Sequence, residues 1–189
     1  MPHAAAQSPT NRQPAAQPCP VVLTLVDDIN AAWPKAGCPA EARLLAALRA
    51  AAAEPRLLTR GQRGAQRDCY ARHILYSDPA GRFTIVSIVW GAGQFSPIHA
   101  HHTWCAYAVH RNTLQETLYC WDDARRAARP ISTAIRTPGY SCFAHSGLDQ
   151  IHKLGNCGPE PAISVHIYGV EPTRVATHVN AIVPVAQNV

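Results

Sequence analysis

Residues 70–109 read YARHILYSDPAGRFTIVSIVWGAGQFSPIHAHHTWCAYAV. Two runs within it, Tyr70–Tyr76 and Phe83–Trp90, are rich in β-branched and aromatic residues, and Ser77-Asp78-Pro79-Ala80-Gly81 between them is a turn signal. Together they predict a β-hairpin. A third run, His99–Val109, reads as one strand that opens on His99-Ala100-His101. Side chains alternate along a strand, so His99 and His101 project to one face and can share a metal ion, while His102 faces away. Cys105 has the parity of the two histidines, so on an unbroken strand it points to the same face. Two surface or core histidines would give the same local pattern, so the pair becomes a metal site only with further support.

Outward from this stretch the texture is the same. Leu114–Trp121, Ile131–Ile135, Asp149–Asn156 and Ala162–Tyr168 are further strand candidates, and no helical pattern separates them. Short strands divided by turn signals predict a mainly β fold, an antiparallel β-barrel or sandwich. Upstream the periodicity is helical. Leu23, Val26, Asn30 and Trp33 fall near a 3.6-residue repeat that Pro34 stops, and Pro39 to about Glu54 forms a second helix with Leu44, Leu45 and Leu48 on its buried face. Residues 1–20, rich in Ala, Pro and Gln, read as a loose tail. The expected layout is one domain over 21–189, with a helical N-terminal cap (21–66) on a β-barrel (67–189).

Bulk properties narrow the function classes. The chain has 189 residues, 47% of them apolar and 15% charged, which suits a folded domain with a real core. No apolar run approaches a membrane span, since Arg49 interrupts the longest, Leu44–Ala53. The N-terminus lacks a basic start followed by an apolar core, so a cytoplasmic location is expected. The net charge of +5 comes mainly from scattered arginines. The one local cluster, Arg125, Arg126 and Arg129, sits between Asp122-Asp123 and Pro130 and reads as a solvated loop, so no nucleic-acid partner is expected. Seven cysteines, odd in number and with no C-x-x-C pair, read as reduced thiols and not as a disulfide framework. Nothing in the pattern specifies an oligomeric state.

Two further alternating triplets carry chemistry. Ser164, His166 and Tyr168 share one strand face, and a hydroxyl, an imidazole and a phenol in a row can form a hydrogen-bonded relay. A strand with a merely polar inner face would look alike. Tyr70 and Arg72 share a face as well. If that face is internal, Arg72 is a buried cation whose planar fork matches a substrate carboxylate; pattern alone equally allows an outward arginine on an edge strand.

The spacings around the histidines resemble the two motifs of the cupin family. Gly93 and Pro97 precede His99 and His101, while Pro138-Gly139 precedes His152, which Asn156 follows as H-x-x-x-N. In cupins the first motif supplies two histidines and usually a glutamate, and the second another histidine. Here Cys105 stands where that glutamate could be. The resemblance therefore implies three neutral nitrogen ligands and no carboxylate. Such a site leaves a dication uncompensated and favours a substrate that brings its own anion, as a thiolate does.

Within the cupins the chain resembles the cysteine dioxygenase family of thiol dioxygenases, from about Tyr70 to His178. The matching pieces are Y-A-R at Tyr70–Arg72, S-P-I-H-A-H at Ser96–His101, L-Q-E-T-L-Y-C-W at Leu114–Trp121, I-H-K-L-G-N at Ile151–Asn156 and S-V-H-I-Y at Ser164–Tyr168. The resemblance implies a cupin-like jelly roll and an iron(II) enzyme that converts L-cysteine and O2 to cysteine sulfinic acid. It implies that His99, His101 and His152 bind iron, that Arg72 and Tyr70 hold the substrate carboxylate, and that Ser164, His166 and Tyr168 form the outer relay. In animal members a cysteine is joined to the relay tyrosine by a thioether; Cys105 and Tyr168 are the pair here, although Cys105 stands one residue closer to His99 than in that pattern. Ala100 stands where the family usually has Asp. Related 3-mercaptopropionate dioxygenases share the three histidines and commonly carry Gln at the place of Arg72, so Arg72 favours cysteine. A non-enzymatic cupin that binds a small molecule is the alternative from another class, and O2 turnover separates the two; a metal-dependent isomerase or hydrolase fits the carboxylate-free triad less well.

Overall fold

The structure, a computed structural model, describes residues 18–33 and 39–186. Among the described residues, ten strands form two five-stranded sheets. The predicted hairpin is present as β1 (Ala71–Ser77) and β2 (Thr84–Trp90), paired antiparallel. β3 (His99–His101) and β4 (Cys105–Arg111) follow, then β5 (Leu114–Asp122), β6 (Ala127–Arg136), β7 (Ser141–Ala144), β8 (Gly147–Gly155), β9 (Ala162–Tyr168) and β10 (Asn180–Ile182). The first sheet has the order β1-β2-β9-β4-β7 and the second β10-β3-β8-β5-β6. The fold is the mainly β, cupin-like jelly roll that the sequence implied. It is built as two facing sheets, each with its own edge strands, and not as a closed hydrogen-bonded ring.

β2 and β9 are buried along their whole length because the first sheet is covered on both sides. Val86, Ile88 and Trp90 turn inward, with Tyr107, Val109, Leu114 and Leu154 in the same cluster. Ile85, Val89, Ile163, Val165 and Ile167 turn outward and pack with Leu25, Ile29, Leu44 and Leu48 of two helices, α1 (Pro20–Ala32) and α2 (Glu41–Ala53). Ala106 and Ala108 of β4 belong to this second cluster, and their small size lets α2 lie close to the sheet. Trp33 stacks on Phe83 and meets Trp104 edge-on, which ties the end of α1 to the strands.

Several expectations need correction. The run His99–Val109 is two strands in two different sheets, because the chain crosses between layers at residues 102–104; His102 N–H bonds the Val179 carbonyl at 2.9 Å instead of continuing a ladder. β7 and β10, of four and three residues, were too short to leave a periodic signal. α1 buries Val22, Leu25, Val26, Ile29 and Ala32, whereas Leu23 and Asn30 face outward. It starts at Pro20, inside the expected tail, and Cys19 next to it donates to the Leu57 carbonyl. α2 starts at Glu41, so Pro39 precedes it, and Leu45 is only partly buried. Arg129 lies on β6 and not in a loop. The rest of the expected tail and Pro34 fall outside the described residues.

Two glycines matter for the site. Gly155, at the end of β8, has no room for a Cβ, which would collide with Phe95 and the Gln94 carbonyl. That close crossing brings the segment before β3 against β8: Ser96 N–H bonds the Leu154 carbonyl at 2.8 Å, and Ser96 Oγ accepts from Leu154 N–H at 3.1 Å. Gly93, at φ 73°, makes the preceding turn. Among the described residues all six cysteines are free, and no helix is long and apolar enough to cross a membrane.

Candidate metal centre

His99 and His152 are direct cross-strand partners between β3 and β8, and the register shifts before His101. The shift brings the three buried imidazoles together, with one potential ligand atom from each all within 4.8 Å of one another. Ring centroids are 4.6–5.2 Å apart. His102 is exposed, as its parity predicts.

The hydrogen bonds behind the rings test whether this set fits a metal. His99 Nδ1 lies 2.9 Å from the Pro97 carbonyl, and His152 Nδ1 lies 2.8 Å from Glu116 Oε1. A carbonyl and a carboxylate only accept, so each Nδ1 carries the proton and each Nε2 offers a lone pair. Burial holds His99 well below its ordinary pKa, with the other two histidines adding to the effect, and lowers His101 to about 3. Two of the rings are thus held with Nε2 free, His101 Nδ1 is buried without a partner among the described residues, and the three nitrogen donors converge, so the three residues fit a metal ion and could hold it.

Tyr70, Arg72, Cys105, His166 and Tyr168 line the same cavity as the histidines. Arg72 is therefore internal, only 5% exposed, and the outward alternative is set aside. Its Nη2 donates to Tyr70 Oη at 3.1 Å, whereas Nε and Nη1 are buried without a partner among the described residues. A buried cation that lines the cavity and keeps two unmet donors is a ready receptor for an anion.

The Ser164–His166–Tyr168 triplet is buried, but its two halves differ. Trp90 Nε1 donates to Ser164 Oγ at 2.8 Å, and Ser164 Oγ lies 2.7 Å from His166 Nε2. Burial keeps His166 neutral, so Ser164 can donate to it. His166 and Tyr168 stack ring on ring, with centroids at 5.5 Å and planes at 27°. The expected relay is thus a hydrogen bond in its first half and a stacking contact in its second. Burial raises the Tyr168 phenol far above its ordinary pKa and does the same to the Cys105 thiol, so both keep their protons.

Glu116 stands inside the L-Q-E-T piece, but the strand pattern alone does not mark it as part of the site. It is 2% exposed, with one oxygen on His152 and the other 2.8 Å from Arg136 Nε. Burial would raise its carboxyl, but the hydrogen bonds and charges of His152 and Arg136 outweigh that and hold it below the usual carboxylate range. An acidic residue at an inward position of a strand was the available signal, since such a residue needs a partner. Trp90, which anchors Ser164, carries no sequence signal beyond that of a strand aromatic.

A family model described as cysteine dioxygenase type I matches residues 42–177, well over half of the chain. The chain is 31% identical to cysteine dioxygenase type 1 of Rattus norvegicus over 102 residues and 27% identical to that of Danio rerio over 103, in each case covering 52% of this chain and 50% of the relative. It spans about half the length of the curated relatives it matches. Similar solved structures include one from Thermus thermophilus (TM-score 0.47, 16% identity, 59% of this chain and 93% of that one). Another is a double-stranded β-helix protein from Klebsiella pneumoniae (TM-score 0.46, 18% identity, 68% and 99%). With its family model covering the strands that carry the three histidines, the chain belongs to the cysteine dioxygenase type I family.

Proposed function

We propose that this protein is an iron(II)-dependent thiol dioxygenase that oxidises L-cysteine with O2 to cysteine sulfinic acid. The observation that carries the reading is one cavity lined by three convergent imidazoles and by Arg72, two of whose nitrogen donors have no partner among the described residues. His99, His101 and His152 would hold the iron, which would supply Lewis-acid and redox chemistry for the reaction of a thiol with O2.

The remaining work falls to the protein. Arg72 receives the substrate carboxylate through its free donors, and Tyr70, whose hydroxyl accepts from Arg72, keeps the guanidinium oriented. This fixes which end of the substrate faces the histidines. Tyr168, protonated at any physiological pH, offers an O–H donor in the same cavity for charge that develops during oxidation. Trp90, Ser164 and His166 hold that region rigid from behind. Ile88, Trp90 and Leu154 complete the cavity with apolar surface, which limits water near the reacting sulfur. Both oxygen atoms end on sulfur, at the sulfinic level of oxidation. Free cysteines fit a reducing, cytoplasmic setting for such an enzyme.

The test is O2 consumption by the iron-loaded protein with L-cysteine, 3-mercaptopropionate and other small thiols, with the sulfinate product identified by mass. L-cysteine is expected to give the highest kcat/KM. A preference for 3-mercaptopropionate would replace the substrate and keep the reaction class. Absence of O2 uptake with every thiol would point to a cupin that only binds its ligand.

A further inference from the structure

We propose that Glu116 and Arg136 set the charge at the metal centre through His152, with Arg136 as a tuning residue that touches neither metal nor substrate. The inference rests on the iron-site reading above and concerns residues to which that reading gives no role.

The geometry is a chain from the centre to the surface. His152 Nδ1 bonds Glu116 Oε1 at 2.8 Å, and Arg136 Nε bonds Glu116 Oε2 at 2.8 Å. Glu116 lies on β5 beside both partners: β8 pairs with it on one side and β6 on the other. Arg136, at the end of the edge strand β6, retains 19% side-chain exposure, and its guanidinium stands over the Tyr140 ring at 4.2 Å. Each carboxylate oxygen is thus committed to a different neighbour.

The chemistry follows from that division. A carboxylate hydrogen-bonded to the far nitrogen of a ligating imidazole fixes the ring and makes it a stronger donor. Alone, Glu116 would return to the site part of the negative charge that the three-histidine set lacks. Arg136 withdraws it, because a guanidinium on the other oxygen makes the pair close to neutral. The centre keeps its uncompensated positive charge, and an anionic ligand such as a thiolate is the group that relieves it. Arg136 thereby preserves the site's demand for an anion from a position outside the cavity.

Opposite signs distinguish this from simple structural support. Three full-length variants, Glu116→Gln, Arg136→Gln and Arg136→Lys, are compared with wild type by cobalt(II) dissociation constant and by midpoint potential of the bound iron. Glu116→Gln should weaken cobalt binding by about 10–100-fold and raise the potential, since it removes the negative group. Arg136→Gln should tighten cobalt binding and lower the potential, since it removes the positive one. Arg136→Lys, which keeps the charge, should return both values toward wild type. Shifts of the same sign in both Gln variants, or an unchanged potential in Arg136→Gln, would overturn the charge relay while leaving the proposed function intact. If Glu116→Gln does not fold, the two Arg136 variants decide by themselves. A wild-type protein that binds neither cobalt nor iron would overturn both readings.

Discussion

Cys105 and Tyr168 stand directly opposite each other on neighbouring antiparallel strands, β4 and β9, and both side chains line the cavity that holds the three histidines. Directly opposed residues carry Cβ atoms roughly 4.5–5.5 Å apart, within reach of a covalent bond after small side-chain adjustment. Alternation along a single strand from His99 does not produce this pairing, because β3 and β4 are separate strands in different sheets. Cross-strand register produces the encounter instead.

A Cys105–Tyr168 thioether is therefore expected to accumulate during aerobic turnover, with loss of one hydrogen from each residue and O2 as oxidant. Peptide mass analysis after many turnovers should find the two segments joined, and Cys105→Ala should give none of the joined species. Two separate, unmodified peptides from wild type would mean that the bond does not form.

Metal retention should follow the geometry of the triad. His101→Ala and His152→Ala are expected to lose iron in elemental analysis, whereas His102→Ala, which removes an exposed ring, keeps it. Full iron content in the first two variants, or its loss in the third, would refute the ligand set.

Tyr168→Phe should keep iron and lower kcat, because the phenol lies in the cavity but is not part of the triad. His166→Ala removes the ring on which Tyr168 stacks and should act in the same direction. Rates unchanged at saturating substrate would remove both residues from the mechanism.

Arg72→Gln should lower kcat/KM for L-cysteine by about 2–3 kcal/mol, roughly a hundredfold at the upper end, through loss of charge-assisted bonds in a buried site. Measured side by side under air, the loss should fall more on L-cysteine than on 3-mercaptopropionate. If L-cysteine oxidation is insensitive to the change, Arg72 is not its carboxylate receptor.

A pH effect is expected away from the site. Asp78 is buried and accepts from Arg82, which also bonds Asn30 of α1 at 2.7 Å, so the pair ties the hairpin turn to the helix. The Arg82 hydrogen bond holds the Asp78 carboxyl below its usual range against the opposing effect of burial. A depressed folded-state pKa stabilises the fold above the unfolded value of about 3.9 and is lost as pH falls through the lower folded value. Asp78→Asn should cost about 1–3 kcal/mol near neutral pH, and its gap from wild type in urea melts should narrow below about pH 4. A gap constant with pH would show that charge is not involved.

Local pattern alone decided much of this protein. Alternation put His99 with His101, Tyr70 with Arg72, and Ser164 with His166 and Tyr168 on common faces, because side-chain direction on a strand has a period of two and needs no tertiary information. The order of apolar runs was enough for a mainly β barrel or sandwich, since β2 and β9, buried on both faces, are continuous and β-branched, and only the family resemblance narrowed this to a jelly roll. What pattern could not decide is which strands lie beside which. The break between β3 and β4 sends two parts of one apolar run to different sheets, and only sheet order places Cys105 against Tyr168 and His99 against His152. Glu116 shows the limit most clearly. Its meaning depends on His152, 36 positions away, and Arg136, 20 positions away, at the two oxygens of one carboxylate. A buried charge takes its role from the partners that folding delivers, and those partners are set by long-range packing rather than by neighbouring sequence.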